Sequence, residues 1–199
     1  MRERVKSELG RVLLPEFLVY IMGPYTTFDV QELLPDDELP PVDPGTTSLP
    51  SAKVDADAID EMLATLRRIQ GRLRTDPGVN AFLAVDAAIS PDEMDAGTQS
   101  IRFARASNVV AFVLPHLGDN LGVGMEVGAV LEDRYPDGER VVVIHEDTVS
   151  SAMLGAVTRR WEARIATYSS EDELVDELRH FILNIMYRET TGQLSKKGT

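Results

Sequence analysis

The stretch 108-NVVAFVLPHLGDNLGVGMEVGAVLE-132 begins with an apolar run over residues 108–114 and passes through Pro115 and a glycine-rich segment into a second apolar stretch. The first run is short and rich in β-branched residues, which marks a strand. Its lack of polar alternation means that both faces are covered. A strand covered on both faces and followed by a helix belongs to a parallel sheet with helices on either side.

The same alternation extends outward in both directions. Further strands are expected at 17–23, 80–86, 140–146 and 163–168, and helices at about 55–73, 97–106, 122–134, 150–161 and 170–188. In the first of these helices Ile59, Met62, Leu63, Leu66, Ile69 and Leu73 mark one face, and 169-SSEDE-173 supplies a capping signal before the last. Five strands with right-handed crossovers predict an α/β fold: a flavodoxin-like, doubly wound parallel sheet in three layers. An extra N-terminal helix is expected over 2–14, where Val5, Leu9, Val12 and Leu13 fall at helical spacing. Residues 1–190 read as one domain, 31–53 as a Pro-rich loop insertion (Pro35, Pro40, Pro41, Pro44, Pro50), and 191–199 as a disordered tail.

Composition narrows the function classes. A formal charge of −13 opposes binding to nucleic acid and to anionic membrane surfaces, and no apolar run approaches the roughly 20 residues of a membrane span. Only Lys6, Lys53, Lys196 and Lys197 are lysines; the other bases are 16 arginines. Many acids with few lysines suit a salt-rich cytoplasm, where self-repulsion is screened. The chain has no cysteine, and His116, His145 and His180 show no metal-ligand spacing, so neither a metal nor another cofactor is expected.

In a doubly wound sheet, ligands bind outside the carboxyl ends of the strands. Residues 22–28, 86–97, 115–126 and 146–153 should meet there, and Glu126 should lie in the first turn of the helix after the third strand. Gly118, Gly122, Gly124 and Gly128 flank it, so that a ligand could approach the backbone closely. The alternative account is that Glu126 complements the helix dipole while the glycines permit a turn and close packing.

The run 122-GVGMEVG-128 resembles the active-site motif of the nucleoside 2-deoxyribosyltransferase superfamily, and in particular its 2′-deoxynucleoside 5′-phosphate N-hydrolases. The first strand, 19-VYIMGPY-25, looks like that family's opening strand and loop. The strand 107-SNVVAFVLP-115 and the segment 150-SSAMLGAV-157 are similar to its later landmarks. The resemblance runs over roughly residues 17–185, and the chain would be a divergent member of the kind found in salt-rich cytoplasm.

The resemblance implies N-glycosidic chemistry on a deoxynucleoside or nucleoside 5′-monophosphate. Glu126 would attack C1′ to give a covalent glycosyl-enzyme, released by water or by a second base. Tyr20 would orient Glu126. Gly23, Tyr25, Asn120, Gly122 and Gly124 would line the sugar and phosphate pocket, with Ser151 contributed across a homodimer or larger homo-oligomer. A NAD-cleaving activity would suit the same chemistry. Two positions depart from the family pattern: Ser100 stands where an aspartate precedes the third strand, and Asn120 stands six residues before Glu126. Asp86, Asp92, Asp95 or Asp119 could take over the missing acid, and His116 could act from the same edge. The departure at Ser100 favours an alternative, a nucleotide-binding or sensing module with reduced catalysis.

Overall fold

The computed structural model describes residues 1–23, 56–90, 93–115, 132, 137–147, 160 and 162–197. Its centre is a five-stranded parallel sheet of order β2-β1-β3-β4-β5. The strands are β1 (Leu14–Met22), β2 (Val79–Phe82), β3 (Val109–Leu114), β4 (Val141–Glu146) and β5 (Arg164–Tyr168). All four pairings are parallel. The described helices are α1 (Arg2–Glu8), α2 (Ala56–Thr75), α3 (Ala96–Ala106) and α4 (Glu171–Thr190). This is the flavodoxin-like α/β arrangement that the apolar runs predict.

Side chains alternate across the sheet and sort into two cores. Val19 and Ile21, Val109, Ala111 and Val113, and Val142 and Ile144 face α2 and α4, meeting Leu66, Ile69 and Leu73 from one helix and Leu178, Ile182 and Ile185 from the other. Leu18, Tyr20 and Met22, Val110 and Phe112, and Val141 and Val143 face the opposite layer, where α3 supplies Phe103 and Ala104 and α1 supplies Val5. The expected helical face at Met62, Leu66, Ile69 and Leu73 is buried.

Three boundaries differ from the sequence reading. The first helix stops at Glu8, and the chain enters β1 by Leu14. Gly10 breaks the helical run, and Pro15 excludes the helical region for Leu14, leaving Leu13 79 % exposed. The second strand ends at Phe82, and Ala84–Asp86 forms a 3-10 turn. There the Asp86 carboxylate accepts the Leu83 N–H at 2.8 Å, a local bond that competes with extension of the strand. Beyond Thr190 the segment 191–197, expected to be disordered, folds back: Leu194 is 9 % exposed, and the Ser195 carbonyl accepts from Arg140. The helices expected at 122–134 and 150–161 lie outside the described residues except for Glu132 and Arg160, which form an ion pair at 3.2 Å. The 31–53 insertion lies wholly outside them.

The capping signal before α4 works as its spacing suggests. Ser170 is the N-cap and its hydroxyl accepts the Glu173 N–H at 3.2 Å, while Glu173 accepts the Ser169 hydroxyl at 2.6 Å and the Ser169 N–H at 2.8 Å. These donors, the hydroxyl foremost, hold the Glu173 carboxyl below its ordinary range. A carboxylate with a depressed folded pKa stabilises above its unfolded pKa and loses that contribution as pH falls through the folded value. Glu173→Gln should therefore lower Tm at neutral pH and leave it unchanged in strong acid. Thermal melts of both forms from neutral pH into that range check this; a gap of constant size would mean that the charge plays no part.

A candidate active site at the carboxyl edge

The order 2-1-3-4-5 makes the β1–β3 boundary the place where successive crossovers diverge, the switch point at which doubly wound sheets open a crevice. Met22 pairs with Phe112, so Gly23 and Val113 lie side by side at the carboxyl ends of these strands. Approach is tight there: a Cβ added to Gly23 would sit 2.9 Å from Leu66 Cδ1 and 3.3 Å from the Val113 carbonyl oxygen. The glycine expected to line a ligand pocket thus also has a packing reason to be glycine. The chain leaving β3 through Pro115 leads into the glutamate motif. Glu126 itself, with Tyr25, His116, Asp92, Asp119, Asn120, Gly122, Gly124 and Ser151, lies outside the described residues.

Tyr20 lies two residues short of the end of β1 and is 1 % exposed. Its ring stacks on Phe82 at 5.1 Å and meets Phe103 edge-on at 5.5 Å. Phe82 and Phe103 close the triangle at 5.5 Å, so three aromatic rings from β1, β2 and α3 fix this residue near the carboxyl end of β1. Ser100 is 6 % exposed on α3, which runs back from the carboxyl edge and packs on β1 and on the Ala84–Asp86 turn.

The substitute acids separate. Asp86 is held by the Leu83 N–H, by Gln70 Nε2 at 2.7 Å and by the Arg67 guanidinium, with its side chain 10 % exposed. Its oxygens serve the turn and the tie to α2. Asp95 is the N-cap of α3 and accepts the Thr98 N–H at 2.8 Å, a bond that holds its carboxyl below the ordinary range. Each of the two described candidates therefore has a structural task.

Two residues at the far end of the same edge carry features that the sequence did not reveal. His145 is 8 % exposed, with Nδ1 2.8 Å from the Glu146 carbonyl oxygen. That oxygen can only accept, so Nδ1 carries a proton here and Nε2 is the ring nitrogen left over. Glu146 pairs with Tyr168 across β4 and β5. Burial, and then the Glu146 carboxylate, push the Tyr168 hydroxyl up to about 12. Tyr168 closes β5 and His145 is one residue short of the end of β4, a signal that becomes usable once the strand order is known. Among the described residues no group of three or more His, Asp or Glu side chains could hold a metal ion, and no helix is long and apolar enough to cross a membrane.

No curated protein matches the chain. Among solved structures it is similar to the Clostridium botulinum CMP N-glycosidase BcmB, with a TM-score of 0.45 and 10 % identity over 81 % of this chain and 97 % of that one. The family model described as a domain of unknown function, DUF7509, matches residues 2–198, and the chain belongs to that family.

Proposed function

We propose that this protein cleaves or exchanges the N-glycosidic bond of a deoxynucleoside or nucleoside 5′-monophosphate, with Glu126 as nucleophile. The observation that carries the reading is the sheet order, in which β1 and β3 are neighbours and the glutamate motif follows β3 directly in sequence. A carboxylate on the sugar face is what a double displacement through an oxocarbenium-like state requires. Gly23, Tyr25, Asn120, Gly122 and Gly124 line the sugar and phosphate pocket in this reading, and Ser151 enters from a second subunit of a homo-oligomer.

Tyr20 is the positioning residue. Its ring is fixed by Phe82 and Phe103, and in this reading it acts on Glu126 through its hydroxyl. Tyr20→Phe should lower kcat at least tenfold with little change in KM or Tm, read from base-release kinetics and a thermal melt. A fall in Tm with kcat intact would make Tyr20 a core residue alone.

The test is base release from deoxynucleosides, their 5′-monophosphates and NAD in concentrated KCl, with Glu126→Gln as control. A second reading, a nucleotide-binding module with reduced catalysis, is favoured by Ser100 in place of an acid and by the structural commitments of Asp86 and Asp95. No release together with a Tm raised by one nucleotide would select it.

A further inference from the structure

The amino edge of the sheet, opposite the candidate active site, carries a cavity of about 350 Å³ lined by Met1, Arg2, Arg102, Arg105, Ala106 and Lys197. Four of its six lining residues are basic, in a chain of formal charge −13. No acid lines it. We propose that this cavity binds the phosphate group of a small phosphorylated metabolite, at a site distinct from the candidate active site.

The charges come from three separate parts of the chain. Arg102 and Arg105 are three residues apart on α3 and so project from one face. Arg2 comes from α1 and is held by the Ala106 carbonyl at 2.6 Å, by Asn108 Oδ1 at 3.0 Å and by the Glu16 carbonyl. Lys197 is delivered by the segment after α4, which is anchored through Leu194 and through the bond from Arg140 to the Ser195 carbonyl. Asp137 pairs with Lys197 at 2.7 Å and Arg105 has an interaction of its own, so neither cation is idle. Arg102 is exposed and has no partner among the described residues.

A simpler account is that basic residues complement the carboxyl end of α3. That covers Arg105, in the last turn, but not the convergence of Arg2 and Lys197 from elsewhere. The helix end would itself repel an anion, but Arg2 already occupies the Ala106 carbonyl, which reduces that opposition. Forked guanidinium donors match phosphate oxygens, and the volume falls within the range of small-molecule sites. A strongly acidic protein repels anions over most of its surface, so selective anion binding needs such a local reversal of sign.

The test is calorimetric titration with pyrophosphate, with a nucleoside 5′-monophosphate and with a short single-stranded oligonucleotide, at constant KCl. The full chain is compared with Arg102→Gln, Lys197→Gln and Glu126→Gln. Pyrophosphate should bind the wild type, and each of the first two variants should weaken it by about tenfold. Glu126→Gln should leave it unchanged, which separates this site from the proposed catalytic one. Exposure of Arg102 makes its variant safe for folding, and an unchanged melt without ligand confirms this. No heat from pyrophosphate in the wild type, equal affinity in Arg102→Gln, or binding of the oligonucleotide alone would overturn the proposal.

Discussion

Glu189→Ala is expected to lower the free energy of unfolding by about 3–5 kcal/mol. Glu189 and Arg140 form an ion pair at 2.5 Å with side chains only 9 % and 1 % exposed. Asn108 donates to both Glu189 oxygens at 3.0 and 3.2 Å, and its own Oδ1 accepts from the Leu18 N–H at 3.1 Å and from Arg2. Alanine would leave a buried guanidinium with only the carbonyls of Asn108 and Ser195 as acceptors. The cost is that of an uncompensated charge, which exceeds the net worth of the pair. The paired replacement Arg140→Met/Glu189→Leu removes both charges and should recover most of the loss. Urea unfolding of the wild type and the two variants measures this, and a loss under about 1 kcal/mol in Glu189→Ala would contradict it. Burial also limits screening, so the loss should persist in concentrated KCl, where exposed pairs such as Arg72–Asp172 contribute least.

This network ties the start of β3, the residue before β4 and the last turn of α4 together at the amino edge. The buried ion pair lies at one edge of the sheet, and the carboxyl ends of β1 and β3, where the active site is proposed, lie at the other.

The fold was legible because all the residues of β3, and all but the last of β4, are buried, so each strand shows as an unbroken apolar run. Where the reading slipped, a local bond or ring had overridden the pattern, as Asp86 did at the end of β2 and Pro15 at the start of β1. Asn108 and Arg140 were visible as first residues of strand-like runs, yet their partner is 81 and 49 residues away, beyond any spacing argument. The carboxyl edge could be inferred from topology, and Tyr20 is buried two residues before the end of β1. What Asp86 and Asp95 do there could not, because it depends on the rotation of α2 and on the turn before α3. The basic cavity was hidden for a related reason: its charges stand at positions 2, 102, 105 and 197, and only the folded chain brings them together.

Glu126→Gln should reduce base release from the preferred nucleotide on the order of 10⁴- to 10⁶-fold, the range for loss of a nucleophile. The amide nearly matches the carboxylate in shape, so packing and substrate contacts are retained while the attacking charge is lost. The fall should therefore appear in kcat, with KM nearly unchanged and Tm within a degree or two of the wild type. A covalent intermediate adds a second readout: rapid quenching of wild type with substrate should give protein heavier by one sugar or sugar phosphate, and the variant should give none. The size of the loss also bears on Ser100. Were Glu126 only a ligand for sugar hydroxyls, glutamine would keep much of the hydrogen bonding, and release would fall about tenfold with a matching rise in KM. A large kcat effect without a covalent adduct would point to water attacking directly, with Glu126 as its base. The proton for the leaving base must then come from another group at the same edge. His145, whose Nδ1 is committed to the Glu146 carbonyl, is the described residue there with a second ring nitrogen to offer. A fall in kcat in His145→Gln with Tm unchanged would assign it that role; an unaltered kcat would exclude it.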